Sequence, residues 1–130
     1  MAKPGGLLYA AYCIDSGTLY KFGFEKGNVE EYLANGKIER GTFRCHSNPS
    51  DLFQLYKQED IAALTADLPA RRLHYVGVDM LTNWFGFHKT VDDMPQERFA
   101  LYIDYHFSIC ERADMVGASN HSLDILQKSI

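Results

Sequence analysis

At 130 residues, 46% hydrophobic and 23% charged, the chain has the size and proportions of one globular domain spanning 1–130, which excludes disorder as its main state. Net charge is −4, spread as seven basic against eight acidic residues in 1–65 and six against nine in 66–130; with no basic block to neutralise phosphates, nucleic acid is not an expected partner. No apolar run approaches the roughly 20 residues of a membrane span, and Met1-Ala2-Lys3-Pro4-Gly5-Gly6 lacks the apolar core of a signal peptide, so the expectation is a cytoplasmic protein with no membrane partner.

In chain order, Leu7 to Asp15 reads as a strand, Ser16-Gly17 as a tight turn, and Leu19 to Phe24 as the hairpin partner. Asn28 is placed to cap a short helix running to Asn35, and Gly36 supplies the left-handed stop. Lys37 to His46 reads as a third strand, interrupted by Gly41. Asn48-Pro49-Ser50-Asp51 has the form of a helix start, and Leu52, Leu55, Tyr56 and Ala63 recur at helical spacing until Leu68-Pro69.

The second half reads as a repeat of this order. Arg71 to Asp79 and Leu81 to Lys89 read as a second hairpin, and Phe85-Gly86-Phe87-His88-Lys89 echoes Phe22-Gly23-Phe24-Glu25-Lys26. From Phe99 to Cys110, apolar Phe99, Leu101, Ile103, Tyr105, Phe107 and Ile109 alternate strictly with Ala100, Tyr102, Asp104, His106, Ser108 and Cys110. That period of two favours a strand; a helix entered through Asp93 and Pro95 is the rival. Ser122 to Ser129 reads as a closing helix with Leu123 and Leu126 on one face. The expected fold is therefore α+β, an antiparallel sheet of about six strands with helices on one face. It would be built from two related ββ(α)βα halves, 7–65 and 71–130.

Motifs for chemistry are sparse. The Phe-Gly-Phe segments resemble the core of the RNA-recognition strand of RRM domains, where exposed aromatics stack on bases. Here the tight first hairpin leaves no room for that fold's crossover helix. Tyr9 to Tyr12, followed by Tyr20-Lys21-Phe22-Gly23, resembles the opening of GIY-YIG nucleases, but that family's helical Arg is replaced by Glu30, Glu31 and Tyr32. His88-Lys89-Thr90 and His106-Phe107-Ser108 resemble the His-x-Ser/Thr elements of two-histidine phosphoesterases, which implies a phosphodiesterase using His88 and His106 as acid and base.

Cys13, Cys45 and Cys110 are an odd number with no CxxC spacing, which fits reduced, buried thiols and no metal or cofactor. What remains is surface chemistry. Tyr102, Asp104 and His106 would line the polar face of the Phe99–Cys110 strand, with Trp84 and His88 near the second hairpin; such residues concentrate at interfaces. The leading expectation is a small non-enzymatic protein that binds another protein, as an inhibitor or immunity-type factor of a bacterium or mobile element, with homodimer formation as a second mode. The competing expectations are the phosphodiesterase and a small-ligand binder with an aromatic pocket around Trp84.

Overall fold

A computed structural model describes residues 2–80, 82 and 93–129. Strand β1 (Leu7–Ile14) forms where it is expected, but no hairpin follows it. The chain passes directly into a helical turn, α1 (Asp15–Thr18), and then into a π-helical segment, Leu19–Glu25. Gly17 accounts for part of this departure. A Cβ at Gly17 would lie 2.6 Å from the Ser119 carbonyl oxygen, so the chain presses against the neighbouring strand end instead of turning back along β1. Phe22-Gly23-Phe24 is thus helical, and Phe85-Gly86-Phe87 lies outside the described residues.

Helix α2 (Val29–Ala34) follows Asn28, and Gly36 takes the expected left-handed conformation with φ of 77°. The Asn28 side chain donates to the Phe22 carbonyl at 2.9 Å instead of capping α2. Within Lys37–His46 only an isolated bridge between Ile38 and Cys45 forms. The helix start expected at Asn48 is a closed turn. The Asn48 N–H donates to Asp51 Oδ2 at 2.7 Å and the Asp51 N–H donates to the Asn48 carbonyl at 2.9 Å, which occupies the capping groups. Strand β2 (Leu55–Tyr56) comes next. Helix α3 (Gln58–Ala66) begins where the Lys57 N–H donates to Asp60 Oδ2 at 3.0 Å, and it ends ahead of Pro69.

Strand β3 (Ala70–Gly77) is also where it is expected; apart from Thr82, its expected partner Leu81–Lys89 lies outside the described residues. The last two elements exchange their expected forms. Phe99–Cys110 falls in helix α4 (Gln96–Ile109), with Pro95 at its N-cap, so the Pro95 start signal outweighs the alternation. After α5 (Ala113–Val116), the segment expected as a helix is strand β4 (His121–Lys128). Its period of two is hidden because Ser122, Asp124 and Leu126 are the buried set, two of them polar.

The fold is α+β, with one open mixed sheet of four strands and five helices beside the π-helical segment among the described residues. This replaces the expected antiparallel sheet of about six strands. Strand order is β2-β1-β4-β3; β1 pairs in parallel with β2, while β4 runs antiparallel to both β1 and β3. Ile14, Ile61 of α3 and Val116 of α5 form one buried cluster, with Tyr12, Tyr56 and Tyr75 against it. Met80, Ile109 and Cys110 form another with Val76 and Met115. Successive strand residues point to opposite faces, so Tyr75 and Val76 assign the two clusters to opposite faces of the sheet. Helices therefore cover both faces, and neither 7–65 nor 71–130 shows a ββ hairpin among its described residues.

Two polar networks fix the sheet. Asp124 of β4 is fully buried, and both its oxygens accept from Arg72 of β3, at 2.8 Å from Nε and 2.6 Å from Nη2. Strands β1, β2 and β3 all run in one direction, so their carboxyl ends share one end of the sheet with the start of β4. There Asp15 pairs with Lys57 at 3.0 Å, and Asp79 meets Ser119 and His121.

Candidate interaction surface

Helix α4 has a body-facing side and an outward side. Tyr102, Ile103 and His106 are half-buried and Ile109 is buried, a stripe at i, i+1, i+4 and i+7 along one side of the helix. The outward side carries Leu101, 69% exposed, and Tyr105 one turn later; Phe107, 72% exposed, stands on the flank, and exposed Phe99 lies at the start of the packed stripe. These four belong to the set expected to be buried in a strand. In the helix they divide between its sides instead of sharing one face.

A second apolar surface lies on β1. Leu7, Leu8 and Tyr9 are 46%, 45% and 60% exposed, and consecutive strand residues alternate faces, so both faces of the strand are open there. Strand β1 pairs with β4 along Leu7–Cys13, but with β2 only at Cys13 and Ile14. The other flank of Leu7–Tyr12 has no strand beside it among the described residues.

The expected binding residues fare differently. Tyr102 is half-buried on the inner side of α4. Burial pushes its phenol up, a hydrogen bond with Thr82 pulls it down, and the nearby Asp79 charge raises it further. Asp104 is exposed on the outward side, and half-buried His106 lies with its ring 6.4 Å from Tyr102 and 5.9 Å from Phe107. Tyr102, Asp104 and His106 therefore share a helix but not a face. Trp84 and His88 lie outside the described residues. The Ser108 hydroxyl donates to the Tyr105 carbonyl at 2.6 Å, a bond within its own helix that directs it away from a phosphate-binding role beside His106.

Cys13, Cys45 and Cys110 are unpaired. Burial first, then the charge of Asp15, pushes the Cys45 thiol up to about 11 against the opposing effect of Lys57, so it is protonated and unreactive at neutral pH. Beside it opens a cavity of about 270 Å³, walled by Leu19, Phe22, Ile38, Phe53 and Leu55. Among the described residues no group of His, Cys, Asp and Glu is placed to hold a metal ion, and no helix is long and apolar enough to cross a membrane. Sequence reasoning missed the outward apolar side of α4 and the Asp79–Ser119–His121 cluster. The available signals were the Pro95 start and the polar Ser119-Asn120-His121 run before a strand. No protein-family model matches this chain, and a search of characterised proteins finds no relative.

Proposed function

We propose that this chain acts by binding another protein, and that the outward side of α4 is the face it uses. The observation that supports this is the exposure of Leu101 and Tyr105 at i and i+4 on the outward side, with Phe107 exposed on its flank. Single exposed apolar residues are ordinary, whereas neighbours one turn apart give a partner a shared apolar contact. A helix presenting apolar residues at i and i+4 fits an apolar groove on its partner, and Glu97, Arg98 and Asp104 supply charged groups around it. The open flank of β1 offers a second contact of the same kind, by strand addition. Inhibition or immunity-type action requires no more than such a face.

The test is capture of partners from the native host by the wild-type chain and by a Leu101→Lys, Phe107→Lys double variant, read by mass spectrometry, with affinity then measured on any protein lost. The double variant should lose the partner, each anchor accounting for about 2 kcal/mol or more of affinity. Equal retention by both proteins excludes this face. A mass measurement in solution distinguishes a second copy of the chain from a different protein. A small-ligand reading is favoured by one observation, the 270 Å³ cavity beside Cys45; saturable binding there with α4 dispensable would support it.

A further inference from the structure

We propose that the carboxyl end of the sheet holds a proton-transfer site, with His121 as the proton acceptor for a small molecule bearing an acidic C–H, O–H, N–H or S–H group. Position supports this first. Open sheets bind ligands outside the carboxyl ends of their parallel strands, and the ends of β1 and β3 meet the start of β4 here.

The geometry of the imidazole comes next. His121 Nδ1 lies 3.0 Å from Asp79 Oδ2, and the His121 backbone N–H donates to Asp79 Oδ1 at 2.9 Å. Ser119 Oγ also donates to Asp79 Oδ1 while accepting the N–H groups of Asp79 at 3.2 Å and Met80 at 2.9 Å. Burial would raise the Asp79 carboxyl, but the bonds from Ser119 and from the backbone and ring of His121 outweigh it and hold the group below its usual value. Asp79 is therefore an anion that fixes Nδ1 as the protonated nitrogen and leaves Nε2 with its lone pair. This is the orienting role a carboxylate plays toward a histidine base.

The backbone adds a separate sign. Met80, buried and not glycine, has φ of 39°, a conformation that is costly for a residue with a side chain and clusters at functional sites. The Ser119 hydroxyl holds that residue in place. Asp15 at this end is occupied by Lys57, and the thiol and phenol nearby are held protonated. Burial and then the Asp79 charge raise the Cys13 thiol, which lies opposite His121 in the β1–β4 register, and burial raises the Tyr102 phenol.

In the proposed step the X–H bond of the bound molecule breaks, its electron pair stays on X, and the proton moves to Nε2. The imidazolium formed is stabilised by Asp79 through Nδ1–H. The proton leaves to solvent or to a departing group in the reverse sense.

The probe is 5-nitrobenzisoxazole, whose ring opens when a base takes the C3 proton and the N–O bond breaks, giving a coloured phenolate. The full chain should catalyse this opening, with His121→Gln slower by about 10²-fold, the scale of a lost general base. Asp79→Asn should be slowed and His74→Gln unchanged. His121→Gln keeps the backbone N–H that binds Asp79, so its fold is expected to survive; an amide spectrum verifies this. Independently of any variant, the ¹⁵N shifts of wild-type His121 should show protonated Nδ1 and bare Nε2. Equal rates for wild type and folded His121→Gln, or the opposite tautomer, would overturn the proposal.

Discussion

Two carboxylates, one within β4 and one in the bend that follows β3, show how differently a hydrogen-bonded acid can be used. Asp124, in the middle of β4, has both oxygens filled by Arg72, whose guanidinium also stacks 4.9 Å from the Tyr75 ring centroid and donates to Thr65 Oγ1 at 3.1 Å. Both oxygens of this fully buried carboxylate are taken up by one guanidinium, so it fixes β3 against β4 and lies out of a ligand's reach. Asp79, at the sheet's end, is bound as fully, but one of its partners is an imidazole with a second nitrogen and a half-exposed ring. A saturated network holds the fold; one with a spare valence at the surface can do chemistry.

The largest effect should come from breaking the saturated network. Asp124→Ala leaves the Arg72 charge without its partner in a partly buried position, and removing one member of a buried pair costs about 3–5 kcal/mol. The Arg72 side chain retains some solvent access, so the loss should fall near the lower end. Denaturant unfolding of the variant measures it. A loss below about 1 kcal/mol would mean that Arg72 swings out to water and that the contrast between the two carboxylates is overstated.

That same aspartate explains why the sequence misleads in this region. Strand β1 is legible because Leu7–Ile14 is an unbroken apolar run, and β3 because Leu73, Tyr75 and Val76 sit between Pro69 and Gly77. β4 is not, because its buried face reads Ser122, Asp124, Leu126, and a polar residue reads as surface unless its partner is known. Arg72 lies 52 positions away, beyond the reach of any local pattern. For α4 the error is opposite: exposed apolar residues mimic the alternation of a strand. Of the expected binding residues, Tyr102 does face the Asp79 cluster, but its strand assignment put Asp104 and His106 beside it on one face. His121 and Ser119 carry no spacing that marks them, since Asp79 is joined to them only by the register of β3 and β4.

The sheet-end network should contribute less to stability, and in a pH-dependent way. The Asp79 carboxyl is held below its usual value by hydrogen bonds in the folded chain, so the folded state binds its proton less readily than the unfolded state. Its contribution is fully present above the unfolded value near about 3.9 and is lost as pH falls from there through the lower folded value. Asp79→Asn should therefore destabilise the protein at pH 7 by about 1.5–3 kcal/mol, the range for hydrogen bonds to a charged group. The gap between variant and wild type should narrow toward pH 2. A gap that stays constant with pH would assign the loss to packing around Met80, not to the carboxylate charge.

The smallest effect sharpens the comparison most. His74 Nδ1 lies 2.8 Å from Glu111 Oε1, shorter than the His121–Asp79 contact, yet both His74 and Glu111 are more than half exposed. Water competes for each atom of that pair, and double-mutant cycles on exposed pairs give only about 0.2–1 kcal/mol. Among the described residues no Ser119-like hydroxyl or backbone N–H fixes the Glu111 oxygens, so the His74 ring is not held in one tautomer as firmly. His74→Gln should change stability by less than about 0.5 kcal/mol and leave the ring-opening rate untouched. If it matched His121→Gln in either measurement, distance alone would govern these pairs, and the anchoring of Asp79 would have no special consequence.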